Sequence, residues 1–231
     1  MNQHTETPSA PPPPAQKPEI AQVKMETSRW IVIAAFLVLG IVFLALPSRL
    51  TIGPTWLPLA LTVLLILLIL GAIFFMEHPA KHMTIRLLFF ALLSILTLTL
   101  IGGVILLITT LPSRTGKQAG GLLRDAGLLW ISNIILFALW YWEIDGGGAI
   151  KRHLSKHQAA DFMFPQQVDG NKQGWAPLFL DYLFLAFTGA TALSPADTFP
   201  LTRKAKGLMM MEAVLSMVIL VVLAARAINI L

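Results

Sequence analysis

The chain has 231 residues, of which 56% are hydrophobic and only 13% charged, and its mean hydropathy is +0.73. Soluble domains carry about 25% charged residues, so a soluble class is excluded and the apolar runs are read against a bilayer. The net charge of +5 comes from short basic loops, which excludes a nucleic-acid interface, and the lack of any cysteine excludes disulfides, thiolate metal sites and a Cys nucleophile.

Residues 1–28 are polar and Pro-rich, with the run Pro11 to Pro14, and lack the apolar core of a signal peptide. They are expected to be a disordered, partly polyproline II tether. The membrane domain is expected over 29–231. Its first span is placed at 30–46, with Trp30 as an interfacial aromatic and Pro47 as the stop. The second lies at 56–76, with Pro54 and Pro58 where missing backbone donors cost little. The third, 87–111, exceeds the bilayer core, and Thr97, Thr99, Gly102 and Gly103 offer a small face for a neighbouring helix.

A fourth span is read at 122–142, where Asn133 could bond between helices and Trp140, Tyr141 and Trp142 form an aromatic belt. Glu143 and Asp145 then fall at the headgroup region, and Gly146 to Gly148 read as a flexible helix exit. The hydrophilic loop after it reaches Gly174. His153, His157 and Asp161 recur in it every four residues, as His78 and His82 do earlier, but no Glu completes a zinc pattern, and solvated loop residues are expected.

The segment 177–193 is short for a crossing, contains Asp181 and ends at Ser194-Pro195, so it is either a re-entrant helix or a sixth span. The last span is 208–231. With the tail inside and 177–193 re-entrant, Arg49, Arg114, Lys117, Arg124 and Arg226 lie outside and the other 12 of the 17 basic residues inside. A full crossing gives ten against seven, so the positive-inside bias favours five spans plus a re-entrant helix.

Two patterns carry resemblances. Phe187, Thr191 and Asp197, with Leu193 for a valine, match the spacing of a potassium-channel pore loop, and Pro200, Ala205 and Glu212 sit where many bacterial pore modules carry similar residues. The C-terminal part therefore resembles a two-helix pore module. Ser194, Pro195 and Ala196 replace the Gly-Tyr-Gly filter, whose carbonyls need backbone angles that glycine permits, and the charge bias puts the loop inside rather than outside. The stretch Trp140 to Gly148, the run Asp161 to Pro165 and the segment Asp181 to Leu231 resemble an uncharacterised family of bacterial multi-pass membrane proteins. That resemblance implies the bacterial inner membrane and adds no activity.

The resulting expectation is an all-α integral membrane protein with a cytoplasmic tail, surrounded by lipid and able to associate with copies of itself. No enzymatic motif, cofactor or metal site is expected. A pore-like role would draw on Thr188, Thr191, Ser194 and Asp197, with Asp181, Glu212 and Arg226 as the ionisable groups; the alternative is a structural or accessory protein. Glu212 and Arg226 lie within the last span, where an isolated charge costs about 2.5–3.5 kcal/mol on insertion scales, although either could instead lie near a membrane surface.

Overall fold

A computed structural model describes residues 17–50, 54, 56–74, 79–109, 119–191 and 197–230. The run Pro11 to Pro14 and Ser194 lie outside the described residues, and the side chains of Trp30 and Arg226 lie outside those described. The fold is all-α apart from one pair of two-residue strands. Helix α1 (Lys17–Ala45) starts within the stretch expected to be tail. Glu19, Ala21, Gln22, Lys24, Met25 and Glu26 favour helix, and Pro18 falls in the first turn, where its missing N–H costs little.

Prolines mark the ends of the next elements. Pro47 comes directly after the end of α1, and Pro58 stands in the first turn of α2 (Leu57–Phe74). Pro79 opens α3 (Pro79–Thr109), and α4 (Ala119–Ile144) comes after it. Among the described residues three helices are long and apolar enough to cross a membrane by length and composition: Arg86–Thr109 of α3, the segment Gly121–Gly147 that takes in most of α4, and Arg203–Ala225.

Helix α4 is central, packed against α1, α3 and the two C-terminal helices, and every residue from Ser132 to Leu139 is buried. The small face expected on α3 is used. A Cβ on Gly103 would stand 3.0 Å from both the Leu50 carbonyl oxygen and a Leu129 methyl, and Thr97 accepts a hydrogen bond from the Trp140 indole at 2.9 Å. Outward faces are apolar too: Leu37 and Ile41 on α1, Leu88, Leu98 and Ile105 on α3, and Met210, Val214, Met217 and Val221 on the last helix are exposed.

The expected hydrophilic loop is a folded cap. A turn at Asp145–Gly147 leads to α5 (Ala149–Leu154) and then β1 (Phe162–Met163), which pairs antiparallel with β2 (Phe199–Pro200), Phe162 opposite Pro200 and Met163 opposite Phe199. Between the strands runs α6 (Phe179–Ala190), and α7 (Arg203–Ile230) closes the chain. The Thr202 hydroxyl caps α7 by accepting from the Ala205 N–H at 3.3 Å. Tyr141, Phe162, Phe179 and Tyr182 are fully buried where cap and helices meet, each burial contributing roughly 1.5–3 kcal/mol.

Candidate functional site

Glu212 stands nine residues after Arg203, about 14 Å along α7 and close to the middle of that apolar segment. It is 1% exposed, packed inside the helix assembly. The Tyr141 hydroxyl on α4 donates to its Oε2, whereas Oε1 is buried without a hydrogen-bond partner among the described residues. Among those residues the ion pairs formed are Arg86 with Glu143 and Arg124 with Asp125, and neither involves Glu212.

Asn133 lies two turns before Tyr141 on the same face of α4. Its Nδ2 donates to the Ser216 hydroxyl at 2.8 Å and, at 3.3 Å, to the Glu212 backbone carbonyl. Only the amide nitrogen can donate to a carbonyl, so the orientation of the Asn133 side chain is set and its Oδ1 is the outward acceptor. That oxygen is also buried and unpartnered among the described residues. Helix α6 closes the third side through Gly189, where a Cβ would stand 2.9 Å from Glu212 Oε2. Glycine at this position is what allows α6 to approach the carboxylate. The C-terminal end of α6 is one residue further on, and its Ala190 carbonyl accepts from the Trp130 indole at 3.3 Å.

The other pore candidates are dispersed. Thr188 is buried with its hydroxyl on the Leu185 carbonyl at 2.9 Å, and the Thr191 hydroxyl donates to the Phe187 carbonyl at 2.8 Å, so both serve their own helix. Asp181 accepts from the Leu178 N–H at 2.6 Å in the first turn of α6, where the helix dipole favours an anion. Asp197 is exposed.

A second cluster ties the cap to α4 and buries Asp145, which was expected to face the headgroup region. Asp145 is 2% exposed and accepts from the Tyr182 hydroxyl at 2.5 Å and from the N–H groups of Asp161 and Phe162 at 3.0 and 3.2 Å. Asp161 answers by accepting from the Gly146 N–H at 3.1 Å and the Thr202 hydroxyl at 2.6 Å. These reciprocal bonds fix Gly146 to Gly148, all at positive φ, in a set turn rather than a flexible exit. Glu143 pairs with Arg86 at 3.2 Å.

Arg152, 3% exposed, donates from Nη1 to the Trp142 carbonyl at 2.5 Å and the Asp145 carbonyl at 2.8 Å, with its guanidinium 4.5 Å from the Trp142 ring centre. Arg152, in the expected loop, is therefore structural. His153 and His157 pack ring against ring at 5.6 Å, while Asp161 turns away to Thr202. The His157 carbonyl accepts from Gln167 at 2.8 Å and Asn171 at 3.0 Å, holding Lys156 and His157 at positive φ. Burial, then His153 and Arg152, push the His157 pKa below its ordinary value. Among the described residues no three His, Cys, Asp or Glu side chains gather as a metal site.

Sequence reasoning passed over Tyr141, Tyr182, Gly189 and Thr202. Tyr141 carried a signal: it stands one turn before Asp145 in a strongly apolar segment, so the two side chains project from neighbouring turns on nearly the same side. No family model, curated protein or solved structure matches the chain.

Proposed function

We propose that the chain is a permeation-related component of a bacterial inner membrane, with five spans, α6 as a re-entrant helix, a cytoplasmic tail, and copies of itself and lipid as its surroundings. The observation that carries this reading is the Glu212 carboxylate, buried midway along an apolar helix with one oxygen held by Tyr141 and the other unpartnered among the described residues. A carboxylate in that position is costly for the fold, and such groups mark ion or proton pathways in membrane proteins. The C-terminal end of α6 beside it adds partial negative charge, of the kind that faces cations in transporter sites.

The spans are supported by the three apolar helices together with α2, whose 18 residues contain no ionisable side chain, and the apolar half of α1. Exposed apolar faces on α1, α3 and α7 suit lipid tails. The pore resemblance supports a permeation role without a potassium-type filter, since Gly-Tyr-Gly is replaced by Ser194, Pro195 and Ala196.

The test is ion flux into liposomes containing the purified full chain. Wild-type protein carries a flux that Glu212→Gln abolishes while leaving the elution profile and helix content unchanged. Absence of flux over a panel of monovalent ions and protons sinks the reading. One observation favours a second reading, a non-transporting accessory protein: Asn133 and Tyr141 both fasten α4 to α7. On that account Glu212→Gln lowers thermal stability and no flux is seen in either protein.

A further inference from the structure

We propose that the seam between α4 and α7 is a binding site for a small monovalent cation of the sodium type, with Glu212 Oε1 and Asn133 Oδ1 as its side-chain ligands. The inference rests on the permeation reading only for its physiological use; the site itself stands on the geometry. Both residues are at least nine-tenths buried, and both oxygens are acceptors left without a donor among the described residues, which is rare in folded proteins and costly where it occurs.

Three features favour a cation over a hydrogen-bonding neighbour. First, Asn133 has already spent its donors on Ser216 and the Glu212 carbonyl, so it cannot turn its nitrogen toward the carboxylate. Second, Tyr141 serves Oε2 and leaves Oε1 untouched. Third, α6 ends beside the carboxylate at Gly189 and Ala190, and a helix C-terminus carries roughly half a negative charge. Asn133 and Glu212 are in direct contact, since Asn133 Nδ2 bonds the Glu212 carbonyl, the end of α6 lies beside the carboxylate, and no Lys or Arg among the described residues pairs with Glu212.

The donor set selects the ion. Hard oxygen ligands suit alkali and alkaline-earth cations rather than zinc or copper. A single carboxylate beside a neutral amide matches one positive charge, whereas a divalent ion would be left with excess charge in a dry environment. The Ser216 hydroxyl accepts from Asn133 and fixes the amide plane, which makes it a positioning residue. The glycine at 189 keeps the carboxylate where the site needs it. A methyl group there would intrude on the carboxylate at 2.9 Å and shift it from its place.

The experiment is equilibrium binding of radioactive sodium to the purified full chain in lipid nanodiscs, with choline as the inert replacement. Wild-type protein is expected to bind sodium saturably, competed by lithium and not by choline. Glu212→Gln weakens binding by about tenfold or more, as removal of a buried charge partner should. Ser216→Ala, which leaves both ligands in place, weakens it less. Sodium should also raise the melting temperature of wild type and leave that of Glu212→Gln unchanged.

No saturable sodium binding by folded wild-type protein overturns the proposal and leaves a proton as the occupant of Glu212. Sodium binding unaffected by Glu212→Gln overturns the assignment of the ligands. Sodium binding without any flux would leave this inference standing and defeat the permeation reading, whereas flux through a protein that binds no sodium would do the reverse.

Discussion

Replacing Asp145 by alanine should release the cap from the long apolar helices while leaving the helices assembled. Asp145 accepts from the Tyr182 hydroxyl and the Asp161 and Phe162 amides, at 2.5, 3.0 and 3.2 Å, in surroundings where it is 2% exposed. Each buried donor left without a partner costs about 1–3 kcal/mol, and water entering the gap recovers part of it, so the three donors together should cost about 3–5 kcal/mol. The loss falls on the cap, because the helix seams of α4 with α3 and α7 do not use this side chain. Hydrogen exchange with a mass-spectrometric readout measures it directly: peptides covering 145–148 and 158–166 should exchange at least about 100-fold faster, the factor for about 2.8 kcal/mol. Peptides from the middle of α4 and α7 should not change. Asp145→Asn, which keeps one acceptor oxygen, should fall between the two proteins. A change under about tenfold in the cap peptides, or equal acceleration throughout the chain, would refute the idea that Asp145 is the cap's fastening.

Other contacts give three more expected outcomes. Gly189→Ala places a methyl 2.9 Å from Glu212 Oε2 and should destabilise the protein by about 1–3 kcal/mol, read as a lower melting temperature in detergent; an unchanged melting point would show that α6 shifts freely. Tyr141→Phe removes the hydroxyl that donates to Glu212 Oε2 and should cost about 1–3 kcal/mol in the same assay, with Phe137→Leu as a packing control. His157 gives the cap a pH dependence. Its folded pKa lies below the ordinary value of about 6.5, so unfolding takes up protons; its contribution is present above that value and is lost as the pH falls through the lower, folded pKa. Cleavage of the cap by an acid-tolerant protease should therefore accelerate on acidification, and His157→Gln should flatten that dependence.

The helices were legible because hydropathy and proline mark them. Pro47, Pro58 and Pro79 lie at helix ends in the structure as their chemistry requires, and Asn133 bonds across to α7 as a polar residue in an apolar helix should. The cap was not legible, because its order comes from partners far apart in the chain: Asp145 with Tyr182, Asp161 with Thr202, and Phe162 opposite Pro200. Read locally, three glycines and a string of Lys and His look like solvated loop. Only long-range bonding turns them into a fixed turn. Glu212 stood out by its type alone, but Tyr141 was absorbed into a plausible aromatic belt, and nothing local to Gly189 shows which neighbour its missing side chain admits.

Helix α4 carries Asn133 and Tyr141 and runs directly into the turn that begins at Asp145, so it works as a shaft with a fitting at each end. Tyr141 is one turn, about 6 Å, from Asp145, and between them the helix has no glycine or proline to absorb a twist. The fastening of the cap and the hydroxyl that holds the Glu212 carboxylate are therefore set by adjoining turns of one continuous segment.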